Sequence, residues 1–403
     1  MMVVRVGLVD LISMSPDSMT RRVFLAAVAG SEARTDPPTG LVSGMETTAF
    51  AIPEVKALAG PEMRAVADPQ ARVLANPEAA LYAEPEVAVR TDPEASARAD
   101  ASVLAAVEAT VFGIDPAGPL DAVDWQALAA MDALIISGSE PLGTTIGTEP
   151  SVRIVARILQ ECSAATSLLF SCQSAHAALH LLYGLERRRL PHRRHGLFAH
   201  AVESGRVGAR AVTEPPLTLA DSVLADSETV HPLNAFDPTD AGARLTAGMS
   251  GPILVPHSRW NEMTSADLRS AGVPILLDSP EAQWNLATSP DGLRHVFLQG
   301  HPEYFADTMA REYRRDLRRW LADPTRPFPQ IPVGYFPAAT HARLVRHAEL
   351  VRTQRDPALL DNFPLPSSYA DAAQDWSAHS RQFFANWLQA IHEQRNPDEL
   401  LAA

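Results

Sequence analysis

Ser167-Leu168-Leu169-Phe170-Ser171-Cys172-Gln173-Ser174-Ala175-His176-Ala177-Ala178-Leu179 runs from an apolar strand, through a cysteine, into a helix that opens on small residues. A thiol held at a strand-to-helix turn is exposed and lies near the positive end of the helix dipole. Both effects favour the thiolate. The same position is the nucleophile turn of many hydrolases and transferases. A free cysteine is otherwise a small buried hydrophobe, and the residues alone leave both readings of Cys172 open.

A second strand end gives the cysteine a partner. Val296-Phe297-Leu298 reads as a buried strand, and Gly300-His301-Pro302-Glu303-Tyr304 follows it as a turn. His301 and Glu303, two apart at a strand end, fall where α/β folds place their ligands. With Cys172 they supply a nucleophile, a base and a carboxylate that orients the base. The alternative is a solvated loop, but the Gly before the pair and the Pro inside it indicate a fixed backbone.

Outward from these stretches the chain alternates strands and helices. Strands are predicted at 1–11, 109–115, 133–138, 252–255, 273–277 and 295–298. Helices are predicted at 19–29, 125–130, 152–161, 340–352 and 376–392, with another after the His-Glu pair. That alternation predicts an α/β fold with a doubly wound, mostly parallel sheet. Residues 201–250 lack periodicity and read as an irregular excursion.

One region departs from this plan. Proline stands at 53, 61, 69, 77, 85 and 93, an eight-residue period whose units begin Pro-Glu or Pro-Gln. An Asx-type cap, Pro at the first position and an acid in the first turn start a helix. The next Pro stops it. The Ala-rich units offer little to bury and are shorter than solenoid repeats, so residues 30–108 read as a low-complexity insertion. Residues 1–29 and 109–392 then form one domain, and 393–403 a tail. A partner-binding role for the repeat is the alternative.

Composition bounds the function. The chain has 403 residues, 46% of them apolar, and a net charge of -14. Repulsion from phosphate argues against nucleic acid and anionic membranes as partners. Two cysteines, Cys162 and Cys172, are too few for a disulfide scaffold, which indicates a reducing compartment. The first eleven residues carry Arg5 and Asp10 inside an apolar run and do not read as a signal peptide. No run of 18 apolar residues spans a membrane. A cytoplasmic location is expected.

Other motifs supply polar groups. Pro256-His257-Ser258-Arg259-Trp260-Asn261-Glu262 is expected as a turn after a short strand, offering hydroxyl, imidazole and guanidinium to a substrate carboxylate. A hydrogen-bonded structural loop is the other reading of His257 and Arg259. Glu186-Arg187-Arg188-Arg189 reads as a surface feature or an anion clamp. Arg315, fourteen residues past His301, reaches the site only if its helix bends or starts late. No zinc-type His/Cys spacing and no phosphate-binding Gly-rich loop occurs, so no metal or cofactor is expected.

Taken together, these segments resemble the homoserine O-acyltransferases of the homoserine O-succinyltransferase type. The resemblance rests on Ser137-Gly138-Ser139-Glu140-Pro141-Leu142-Gly143, Cys172 through Gly184, His195-Gly196-Leu197-Phe198, Pro256 through Trp260, Gly300 through Tyr304, Glu312 through Asp316, Tyr335-Phe336-Pro337, and Trp376-Ser377-Ala378-His379 with Asn386-Trp387-Leu388. It implies a class I glutamine amidotransferase-like (flavodoxin-like) fold and ping-pong acyl transfer from acyl-CoA, as co-substrate, to L-homoserine in methionine biosynthesis. Cys172 would carry the acyl group, with His301 as base and Glu303 orienting it. Ser258 and Arg315 would contact the amino acid, as would Arg193, which stands where the family usually has Lys. Gly143 falls at the position that goes with succinyl rather than acetyl donors. Met14-Ser15-Pro16-Asp17 replaces the family's Met-Pro-Lys, His176 stands for a usual Gln, and Gly334 for an Asn. A homodimer is left open. Competing readings keep the triad for glutamine hydrolysis or another acceptor amino acid, or make the chain a catalytically dead binding protein that presents the repeat.

Overall fold

The computed structural model describes residues 3–11, 24–25, 27–28, 46–50, 106–143, 145–203, 243–361, 363, 365 and 372–396. The octad repeat, segment 14–17, most of the helix expected at 19–29 and most of 201–250 lie outside the described residues.

Among the described residues, ten strands form one sheet. In chain order they are β1 (Val3–Asp10), β2 (Glu46–Phe50), β3 (Ala106–Gly113), β4 (Ala133–Ile136), β5 (Ser167–Ser171), β6 (Arg188–Val202), β7 (Ile253–Glu262), β8 (Ile275–Asp278), β9 (Leu286–Thr288) and β10 (His295–Leu298). The spatial order is β2-β3-β1-β4-β5-β10-β9-β8-β6-β7. The segment β3-β1-β4-β5-β10 is parallel throughout. Counted by chain order among themselves, those five strands run 2-1-3-4-5, the flavodoxin-like doubly wound order. Antiparallel strands extend both edges.

Burial follows from the layers. Every residue of β4, β5 and β10 is buried, as expected for strands covered on both faces. Alternate side chains serve opposite cores. Ala133, Ile135 and Leu169 join Phe383, Phe384 and Trp387 of helix α7 (Ser377–Arg395) on one face. Leu134, Ile136, Leu168 and Phe170 join Ile154, Val155 and Ile158 of helix α2 (Pro150–Glu161) and Ala175 to Leu179 of helix α3 (Gln173–Tyr183) on the other. Helix α1 (Trp125–Ala129) adds Leu128 to that second core. Helix α4 (Ser265–Ser270), opened by a Thr264/Asp267 capping box, adds Leu268. Helices α5 (Thr308–Ala322) and α6 (Ala338–Gln354) build a third cluster with Tyr335, Phe336 and Trp376 beside Leu197 of β6.

Two sequence expectations need correction. The stretch 256–262 is not a turn; it continues β7 to Glu262 because β6 offers a complementary ladder. Periodicity does not reveal it, since the run is polar. The tract at 186–189 is not uniformly superficial. Arg188 is exposed, but Arg187 is buried.

Parallel strands bring their C-terminal ends to one rim, and Cys172, His301 and Glu303 follow β5 and β10 there. The ends of β2 and the start of β3, Phe50 and Ala106, lie at the opposite rim, because Phe50 pairs with Val107.

Candidate active site

Cys172 directly follows β5 and caps α3, with φ 54° and ψ -108°. A positive φ is strained for a residue with a Cβ. It turns the chain sharply between strand and helix and leaves the thiol partly exposed. The conformation is held by two hydrogen bonds. The Cys172 amide donates to Leu298 O at 2.7 Å, and the His176 amide donates to Cys172 O at 3.1 Å.

The neighbouring strand delivers the base. Leu298 of β10 pairs with Ser171 of β5, so a turn three residues further places His301 beside Cys172. The His301 amide donates to Pro256 O at 2.7 Å, and the Gly300 amide to Asn285 Oδ1 at 2.9 Å. A Cβ at Gly300 would lie 2.7 Å from Asn285 Oδ1 and from His257 Cε1. Only glycine lets the turn lie this low on the sheet.

The imidazole answers to both partners. His301 Nδ1 lies 2.8 Å from Glu303 Oε1, and Cys172 is near enough to act on the charge of the ring. Burial disfavours the imidazolium, but Glu303 and Cys172 together outweigh it and raise the pKa to about 10. The Tyr304 ring stacks on the imidazole, 4.3 Å between centroids and 19° between planes. The other thiol, Cys162, is buried at the end of α2, and burial pushes its pKa up to about 11. Of the two, Cys172 is the one placed for nucleophilic attack.

Arg193, Ser258 and Arg315 converge on a second cluster. Between Arg189 and Arg194, β6 bulges away from β7. Bulges re-aim side chains, and this one sends Arg193 towards helix α5. Its guanidinium contacts Asp316, lies 3.1 Å from Glu312 Oε2 and donates to Ser258 Oγ at 2.5 Å. Ser258 in turn donates to Glu312 Oε2 at 2.5 Å. Helix α5 starts late, at Thr308, and Arg315 donates to its neighbour Asp316 at 3.1 Å while its charge acts on Glu312. Glu312 also accepts from the Tyr304 hydroxyl at 3.0 Å, and His195 Nε2 lies 3.4 Å away. Burial would raise the Glu312 pKa, but Arg193 and His195 hold it well below the usual carboxylate range.

Gly143 belongs to a third group. Its amide and that of Leu142 donate to Glu149 at 3.0 Å. Arg187 bonds Glu149 Oε1 at 2.5 Å, Gly143 O at 2.7 Å and Gln173 Oε1 at 2.5 Å. The fully buried Arg187–Glu149 pair therefore ties the 141–143 loop to the first residue after the nucleophile.

His257 and Arg259 line no open turn. Arg259 Nη1 lies 2.5 Å from His257 Nδ1, and His257 Nε2 lies 3.2 Å from His200 Nε2. Burial drives both histidines down, His200 to about 4, so both are neutral. Arg259 bonds Glu262 and Ala282 O, and burial lowers its pKa to about 10. These groups form a polar floor under the His301 turn. His176 is likewise buried and neutral, pKa about 3, and hydrogen-bonds Gln299.

Sequence reasoning missed Glu312, Tyr304, Glu149 and Arg187 as parts of the site. Glu312 and Asp316, four apart on a helix, share a face, and that spacing was visible. Among the described residues no group of three or more His, Cys, Asp or Glu side chains is arranged to hold a metal ion, and no helix is long and apolar enough to cross a membrane.

Comparison with known proteins bears on this arrangement. A family model described as "HTS: Homoserine O-succinyltransferase" matches residues 234–398. A protein named homoserine O-succinyltransferase from Methylorubrum extorquens is 32% identical over 266 residues, covering 66% of this chain and 69% of that protein. One of the same name from Allochromatium vinosum is 34% identical, covering 65% and 64%. Among solved structures, a glutamine amidotransferase from Thermotoga maritima matches with a TM-score of 0.34 and 13% identity, covering 70% of this chain and 86% of that one.

Proposed function

The chain belongs to the homoserine O-succinyltransferase family of acyltransferases, and on that premise we propose that it transfers an acyl group from acyl-CoA to the hydroxyl of L-homoserine through an acyl-enzyme on Cys172. The observation that carries this reading is the His301 imidazole, held by Glu303 at 2.8 Å, on the turn after β10 and next to the Cys172 turn after β5.

The Cys172 thiolate attacks the thioester carbonyl carbon. The new C–S bond forms as the carbonyl becomes a tetrahedral oxyanion. The Cys172 amide is already bonded to Leu298 O, so the amides after it are the donors left for that oxyanion. Gly138 leaves the approach to the Gln173 amide open; a Cβ there would stand 3.5 Å from it. The oxyanion collapses, the bond to CoA breaks, and His301 gives its proton to the departing sulfur. Exchange between two thioesters is nearly balanced, which makes the acyl-enzyme a sensible intermediate. Neutral His301 then takes the proton from the homoserine hydroxyl, whose oxygen attacks the acyl carbon and expels the Cys172 thiolate.

Arg193, Ser258 and Arg315 hold the amino acid, and Gly143 makes succinyl-CoA the favoured donor over acetyl-CoA. No cofactor takes part. Purified protein offered acyl-CoA donors and amino-acid acceptors, with free CoA followed by a thiol reagent, tests the reading. Homoserine-dependent CoA release supports it. Ammonia release from glutamine without CoA release overturns it.

A further inference from the structure

Tyr304 is not used by the chemistry above, yet it touches both halves of the site. Its ring lies flat on His301, 4.3 Å between centroids, and its hydroxyl donates to Glu312 Oε1 at 3.0 Å. The other oxygen of the same carboxylate collects Arg193 and Ser258. We propose that Tyr304 is a positioning residue that fixes the plane of the His301 imidazole and couples it, through Glu312, to occupancy of the Arg193–Ser258 subsite.

The backbone is arranged for this role. The Tyr304 amide donates to His301 O at 3.1 Å, closing the turn that carries the base. Its carbonyl accepts from Trp376 Nε1 at 3.0 Å, and Trp376 is fully buried. The ring is thus fixed at one end by the core and at the other by Glu312. Burial and Glu312 raise the hydroxyl pKa well above 10, so it remains a donor at working pH. His301 is fixed along its edge by Glu303, but that hydrogen bond leaves the ring free to roll about the Nδ1–Oε1 line. A stacked ring removes that freedom. A base must stay within a narrow geometry in both half-reactions.

The coupling follows from shared lone pairs. Glu312 Oε2 takes bonds from both Arg193 and Ser258, the groups assigned to the amino acid, so this part of the inference rests on the proposed function. A ligand that draws those donors away leaves the Tyr304 hydroxyl, at 3.0 Å, and His195, at 3.4 Å, as the donors nearest to Glu312, which tightens the tether to the base.

Two measurements on Tyr304→Phe and Tyr304→Leu in the full chain test the idea. The rate of iodoacetamide alkylation of Cys172 at one fixed pH, read by peptide mass spectrometry to separate it from Cys162, needs no substrate. Wild type and Tyr304→Phe should share a rate, because both keep the stack. Tyr304→Leu should slow alkylation about threefold or more, because the base beside the thiol is no longer held in plane. In turnover, Tyr304→Phe should lower kcat about tenfold with the KM for L-homoserine within about threefold, the loss of one charge-assisted hydrogen bond. Tyr304→Leu should lower kcat further. If both variants keep the wild-type alkylation rate and kcat, the positioning role is wrong. If only Tyr304→Leu is impaired, the link to Glu312 is wrong. If wild type fails to release CoA with any acceptor, the assigned reaction is wrong, while the alkylation rates still decide the role of the stack.

Discussion

The amide of Cys172 donates to the carbonyl of Leu298 at 2.7 Å, which makes the nucleophile's own backbone the last rung between the two strands that carry the chemistry. Side chains on adjacent parallel strands inherit a separation set by the sheet. Nucleophile and base are therefore placed before any substrate arrives.

Replacement of Cys172 tests the covalent step. Cys172→Ala should abolish transfer, and Cys172→Ser should leave only background turnover, while both fold, since the side chain is partly exposed. Intact-mass spectrometry of wild type with acyl-CoA alone should show one acyl group, which peptide mapping places on Cys172. An acyl group on Cys162, or none during turnover, would exclude the mechanism.

Stability should depend on pH through His301. Its folded pKa, raised to about 10 by Glu303 and Cys172 against the opposing effect of burial, lies above the unfolded value near 6.5. Proton binding thus favours the folded state. The stabilisation is complete below about pH 6.5 and fades as pH rises towards 10. Urea unfolding of wild type and Glu303→Gln should differ most at pH 6 and converge towards pH 10. A gap that widens with pH would contradict the ion pair.

Crowding at the base turn gives a third expectation. Gly300→Ala inserts a methyl 2.7 Å from Asn285 Oδ1 and His257 Cε1 and 2.8 Å from Val255 Cγ1. Overpacking of this kind costs about 1–3 kcal/mol. The turn must lift, so kcat should fall while homoserine binding persists. Wild-type urea midpoint and kcat together would show that the turn is free to move.

Arg193 gives a fourth. Arg193→Ala removes contacts to Glu312, Asp316 and Ser258, each assisted by charge and worth about 1.5–3 kcal/mol. The KM for homoserine should rise about 10- to 100-fold. Arg193→Lys should fall between, since one ammonium cannot serve three partners as a planar fork does. A rise confined to the KM for acyl-CoA would move Arg193 to the donor side.

Much of this site was legible before any coordinates. Strand-Cys172-helix and strand-Gly300-His301 are local patterns, and parallel alternation forces their ends to one rim. The β6–β7 pair was not legible. Its ladder joins Arg189 to Asn261 and His195 to Ser258, polar residues whose partner lies far along the chain, so neither strand shows an alternating signal. For the same reason Arg187 reads in the sequence as a surface feature or an anion clamp. Nothing in a run of arginines marks the one whose charge is met by Glu149, 38 positions earlier. Tyr304 and Glu312 escaped because their roles exist only relative to each other.

The octapeptide-bearing stretch is joined to the sheet at Phe50 and Ala106, at the rim opposite Cys172. Gain or loss of whole units by replication slippage would thus alter chain length while both points of attachment stay where they are. An engineer could use the same port to graft a foreign peptide, and selection on the reaction would have little grip on how many copies a lineage keeps.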